Sequence, residues 1–310
     1  MRDALDSIDL ATARTDAEWL ARLDELADDC GAFMPLGAHH AAFFADGSDT
    51  LLVSFESIDK IREQQDDHRP LGLSIAARHG WSSLVMIARA PRWYRDSEIL
   101  DFFDSQVDAG FFDSFSRVLF YGAGMGGYAA CAFSLAAPGA TVLAVAPHAT
   151  LDPEIAPWER RFLEQRRLDF RSRFGFAPAM IEGARAIFVV HDPANRTDSM
   201  HATLFRRPFV TMLRCPPLGL DTARALNRIG TLDMLIETTM RGRMTPARFH
   251  DMMRKRREDP VYLKMLVKRV AAKANHAALT VTAAKHALAL RNSSGLRKQL
   301  RKAEKLLSEG

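Results

Sequence analysis

Apolar positions along the chain change period several times, and each change marks a different kind of element. Among the first thirty residues Trp19, Leu20, Leu23 and Leu26 recur at helical spacing between Ala, Asp and Glu, and Gly31 is a natural stop. The pattern then shortens. His40 to Ala45 reads as a first strand, 46–49 as a turn, and Leu51 to Phe55 as a compact apolar run. Further runs at Ser83–Ile87, Val118–Tyr121, Thr141–Ala146, Ala186–Val190 and Phe209–Leu213 are nearly continuous rather than alternating, as strands of a parallel sheet covered on both faces should be. Crossover helices fit at Ser97–Val107 and Gly127–Ala137. The segment between Pro147 and Gly183 is longer, polar and aromatic, and reads as a helical cap or lid. A doubly wound α/β sheet is the economical reading.

Beyond Asp221 the helical period takes over. Thr222–Met240 reads as one helix, and Thr245 followed by Pro246 opens another with a cap and a first-turn proline. Segments near 260–273, 276–291 and 295–308 continue the series, with breaks at Asp259-Pro260 and around Gly295. The expected organisation is a helical lead over 1–34, an α/β domain over 35–240 with its insertion at 147–183, and a basic helical region over 241–310.

Charge sharpens that division. The formal net charge is only +4, yet residues 1–240 hold 24 Lys and Arg against 33 Asp and Glu, while 241–310 hold 18 against 5. An acidic body therefore carries a strongly basic tail. Runs at 254–257 and 297–305 could attract nucleic acid or an anionic membrane, but few aromatics interleave with them, and apolar seams such as Tyr262, Leu263, Leu266 and Val270 favour helix packing or a protein partner. The chain has no run of eighteen apolar residues and no basic-then-apolar start, so a cytoplasmic rather than transmembrane protein is expected. Cys30, Cys131 and Cys215 lie far apart, and no metal or other cofactor is expected.

The most informative segment is RVLFYGAGMGGYAAC, Arg117 to Cys131. An apolar run enters Gly122, Gly124, Gly126 and Gly127, and a small-residue helix follows at once. Gly122, Gly124 and Gly127 satisfy a dinucleotide fingerprint, but strands precede them and the next strand ends without a ribose-binding acid. The alternative is a nucleophile elbow, G-x-S-x-G, in the frame Gly122-Ala123-Gly124-Met125-Gly126, whose central residue carries no oxygen.

YGAGMGGYAA resembles the YGxSMGGYxA elbow of bacterial α/β-hydrolase-like proteins, some of them associated with surface polysaccharide genes, and the resemblance covers residues 35–240. It implies an acid after a late strand, where Asp192 stands, and a histidine after the next strand, where Leu220 stands instead. Gly124 and Leu220 thus mark a degenerate triad, because attack needs both an oxygen and a base to take its proton. Met125, Phe55, Glu56 and His148 are the expected oxyanion or ligand pocket. Two functions follow: a catalytically silent homologue that senses a small anionic or carbohydrate-related ligand or binds a protein, with a link to surface glycans; or a hydrolase or acyltransferase using His191 or His201 with Asp192. Cys131, well inside its helix, is expected to be buried rather than reactive.

Overall fold

The computed structural model describes residues 5, 7–215, 217–219 and 221–308. The chain divides into two compact units, Met1–Pro216 with Ile236–Pro246, and Pro217–Leu235 with Ala247–Gly310.

The first unit is built on an eight-stranded sheet. Its strands are β1 (Gly31–Leu36), β2 (His40–Ala45), β3 (Thr50–Ser57), β4 (Ser82–Ala88), β5 (Arg117–Ala123), β6 (Thr141–Val145), β7 (Ala186–His191) and β8 (Val210–Arg214). They lie in the order β1-β2-β4-β3-β5-β6-β7-β8. β2 runs antiparallel to both its neighbours, and every pairing from β4 to β8 is parallel. This is the α/β-hydrolase-like sheet that the apolar runs and the glycine turn imply. Each run expected to be a strand is one, within a residue or two at its ends. β1 is the addition: Gly31 and Pro35 interrupt its pattern, and Pro35 is tolerated because β1 pairs only with β2, at the sheet's edge.

Alternation along the strands divides the core between the two faces. Leu84, Met86 and Ala88 of β4 belong to one apolar cluster with Phe55, Phe103, Phe120 and Phe133. Val85 and Ile87 belong to the other, with Trp19, Leu23, Leu26 and Phe43. On the first face aromatic rings stack in series, the Phe103 and Phe133 centroids being 4.4 Å apart. On the second, helix Asp16–Cys30 lies against the sheet. Its start is set by a capping box in which the Thr15 hydroxyl accepts from the Glu18 N–H and the Glu18 carboxylate accepts from the Thr15 N–H.

Two expectations change. The insertion between Pro147 and Gly183 is made of turns and the 3-10 pieces Gln165–Arg167 and Ala177–Ala179, with no α-helix among its described residues. Its polar side chains are spent on turn and ion-pair contacts instead of an amphipathic helix. Thr222–Met240 is two helices, Thr222–Arg228 and Leu232–Met240, because Gly230 turns the backbone left-handed between them (φ 64°).

In the second unit the helices Pro260–Ala271, Ala277–Leu290 and Ser294–Ser308 pack on one another. Small residues Ala283, Ala284 and Ala287 of the middle helix are buried, as are Leu263 and Val267 before it and Leu296 and Ala303 after it. Asp259 caps the first of these helices by accepting from the N–H groups of Val261 and Tyr262, and also receives Arg228 at 2.8 Å. No helix among the described residues is long and apolar enough to cross a membrane.

Backbone also approaches backbone closely where β5 and β3 meet the helix Met125–Ala132. A Cβ on Gly122 would stand 2.1 Å from the Gly126 carbonyl oxygen, and one on Gly126 would stand 2.2 Å from the Phe55 carbonyl oxygen. Both obstacles are backbone and cannot swing away. Gly122→Ala and Gly126→Ala should each therefore cost at least about 1–3 kcal/mol in chemical denaturation; an unchanged midpoint would mean that strand and helix stand further apart.

Candidate functional site

The turn between β5 and the helix that follows lies at the carboxyl ends of the parallel strands, where open α/β sheets place their ligands. Gly124 sits at its apex with φ 57° and ψ −114°. Its N–H donates to the Val145 carbonyl at 2.9 Å, and its own carbonyl accepts from His148 N–H at 3.2 Å and from Tyr128 N–H at 3.0 Å. The apex is thereby clamped to the end of β6. Gly122 and Gly126 are demanded by contact, but Gly124 is not. A Cβ there would meet nothing nearer than the His148 ring, at 3.7 Å from Cε1 and 4.0 Å from Nε2. The turn is a tight strand-to-helix reversal with open space beside Gly124. Met125 N–H is in the first turn of the helix and has no acceptor within it.

His148 is the imidazole nearest the apex. Its ring packs on Trp93 (centroids 5.7 Å), Phe162 (5.0 Å) and His201 (5.1 Å). Burial, together with the charges of His201 and Arg161, pulls its pKa well below the ordinary 6.5. His148 Nδ1 and Trp93 Nε1 are both buried without a hydrogen-bond partner. Trp93 and Tyr94 are held left-handed (φ 51° and 53°), and so is Ala146 (φ 45°) between β6 and His148. Each such non-glycine residue costs on the order of 1–2 kcal/mol. Two unsatisfied buried nitrogens and three strained residues thus gather round one turn.

His201 is placed differently. Its Nδ1 accepts from the Ala149 N–H at 3.1 Å. A backbone amide can only donate, so the proton is on Nε2, which donates to Glu159 Oε2 at 3.0 Å. Both ring nitrogens are engaged, and His201 pairs with Glu159 rather than with Asp192. Arg161 extends the network, meeting Glu159 at 2.6 Å and Asp198 at 2.7 Å. Burial alone would raise the Glu159 pKa, but hydrogen bonds from His201 and Arg161 outweigh it and hold the carboxyl well below the usual range. Burial lowers the His201 pKa, and Glu159 offsets part of that. Glu159 and Arg161 escaped sequence reading because no spacing rule joins Glu159 to a histidine 42 residues away; both stood out only as part of the polar, aromatic segment between Pro147 and Gly183.

The remaining candidates are scattered. Asp192 follows β7 directly, is buried, and accepts from Ala194 N–H at 2.8 Å. His191 is buried at the end of the same strand with Nδ1 unpartnered, and burial and Arg214 lower its pKa. The Phe55 ring belongs to the aromatic stack. The Glu56 carboxylate accepts from the N–H groups of Leu71 and Gly72, both at 2.8 Å, and so caps helix Leu71–His79 instead of facing the elbow. Leu220 lies outside the described residues. Cys131 is fully buried, and desolvation pushes its thiol pKa far up, which leaves it inert as a nucleophile. Among the described residues, no group of three or more His, Cys, Asp or Glu side chains could hold a metal ion.

No family model matches the chain, and no curated protein matches it in sequence. Similar solved structures include the capsule O-acetyltransferase of Neisseria meningitidis serogroup A, 11% identical with a TM-score of 0.44 over 65% of this chain and 91% of that one. A hormone-sensitive lipase from a metagenome library is 13% identical with a TM-score of 0.45 over 78% and 99% of the two chains. Mouse alpha/beta hydrolase domain-containing protein 10 is 13% identical with a TM-score of 0.40 over 67% and 98%. The fold assignment itself rests on the strand order and on the strained turn after β5.

His148 generates a pH dependence whose sign is fixed. Above pH 6.5 the imidazole is neutral in both the folded and the unfolded chain and contributes no slope. Below 6.5 the unfolded chain takes up a proton that the folded chain refuses, so stability falls with pH. The urea midpoint should drop between pH 7 and pH 5, and His148→Phe should flatten that drop. An unchanged slope in the variant would mean that the ring is hydrated.

Proposed function

We propose that this chain is a catalytically silent α/β-hydrolase homologue whose elbow binds a small anionic ligand and so serves as a sensing module. The observation that carries the proposal is Gly124: the apex keeps the strained backbone and the side-chain space of a nucleophile turn, and it has no oxygen to attack with. The imidazole beside it is a weak base, the second imidazole has both nitrogens occupied, and the nearby thiol is buried. Binding capacity remains. Met125 N–H and Trp93 Nε1–H are donors for a carboxylate or similar oxyanion, and the desolvated setting strengthens each such bond. The likeness of YGAGMGGYAA to the turn of proteins associated with surface polysaccharide genes supports a link of this module to surface glycan metabolism.

The native protein should leave acyl and phosphate ester substrates at the buffer rate and resist a fluorophosphonate probe. Gly124→Ser should react only slowly, since His148 is a poor acceptor for the new hydroxyl proton. Acetate should quench tryptophan fluorescence saturably, and Trp93→Phe should abolish the quench. Turnover by native protein would overturn the silent reading, and a quench that survives Trp93→Phe would overturn the ligand assignment.

A further inference from the structure

At the other edge of the sheet, where β5, β6 and β7 begin, lies a cleft of about 500 Å³. A seven-residue strand is about 20 Å long, so this cleft is separate from the elbow. Its volume is in the range of small-molecule sites. Arg117 at the start of β5, Arg185 just before β7, and Arg241 line it, with Phe115 and Phe188 on its apolar wall.

The charges there are unbalanced. Arg241 is shared with Glu237 at 2.9 Å. Arg117 and Arg185 use their backbone N–H groups on the carbonyls of Asp49 and Ala140, but among the described residues neither guanidinium has an ion-pair or hydrogen-bond partner. Asp113 is the acidic side chain on the lining, and its carboxylate points back to its own turn: a Cβ on Gly110 would lie 3.6 Å from Oδ2. This imbalance sits on the part of the chain whose sequence is acidic overall, so it is a local concentration of cation and not a spill-over of average charge.

We propose that this cleft is a binding site for a phosphoryl-bearing small molecule. Arg117 and Arg185 supply forked donors to its phosphoryl oxygens, and Phe115 and Phe188 form the wall for the group it carries. Guanidinium suits this chemistry because its planar fork gives two parallel hydrogen bonds to one phosphoryl group and never loses its charge. The site is independent of the elbow and of whether the elbow is silent.

The test is isothermal titration of the full chain with inorganic pyrophosphate at constant ionic strength. Saturable binding is expected, weakened at least tenfold in the double variant Arg117→Ala/Arg185→Ala and changed less than threefold in Arg301→Ala/Lys302→Ala on the basic terminal helix. Circular dichroism should show both variants folded, since all four side chains are exposed. Absence of saturable binding to the native chain would overturn the proposal, as would unchanged affinity in the first variant or loss in the second. Uridine diphosphate separates the sources of the phosphoryl group: tighter binding than pyrophosphate assigns the phenylalanine wall to a carried ring, equal affinity assigns the site to the phosphoryl group alone, and either result upholds the site.

Discussion

The site depends on one steric constraint, the close backbone approach of the helix after β5 to β3 and β5. Gly126 lies against the Phe55 carbonyl and Gly122 against that of Gly126, at separations that no Cβ allows. Because helix and strands are that close, the chain must reverse within a single residue, and Gly124 takes the positive φ that the reversal requires.

Around that turn, polar groups fall into two sets with opposite consequences. His201, Glu159, Arg161, Asp198 and Asn195 satisfy one another within 3.1 Å contacts, tying the insertion after β6 to helix Arg196–Leu204. The Glu159 carboxylate and the His201 ring are buried and would be left unsatisfied if either were removed, so the network holds the insertion in place. His148 Nδ1 and Trp93 Nε1 are the reverse case, buried with nothing to bond. Native interiors rarely leave such groups alone, and here they coincide with the left-handed Trp93, Tyr94 and Ala146. Strain and missing partners converge where the elbow has room.

Much of this was legible in the residues because strands and turns are local. Continuous apolar runs mark β2 to β8, and four glycines in six residues mark a tight reversal whatever lies around it. The edge strand β1 was hidden because Gly31 and Pro35 read as punctuation, and an edge tolerates both. The break at Gly230 was hidden for a related reason: one glycine inside a helical period does not announce that it will adopt φ 64°. The insertion misled because its aromatic and arginine content suits an amphipathic helix as well as it suits a loop held by ion pairs.

What the sequence determined by itself is therefore the sheet and the tight glycine turn after β5, together with the contrast between an acidic body and a basic tail. All of these follow from residue identity at a position or over a short window. Tertiary structure alone decided which histidine faces Gly124, which acid holds His201, and that Arg117 and Arg185 share a cleft in which, among the described residues, neither guanidinium has an acidic partner. Those pairings join positions tens of residues apart, and side chains meet there only after the strands have taken their order.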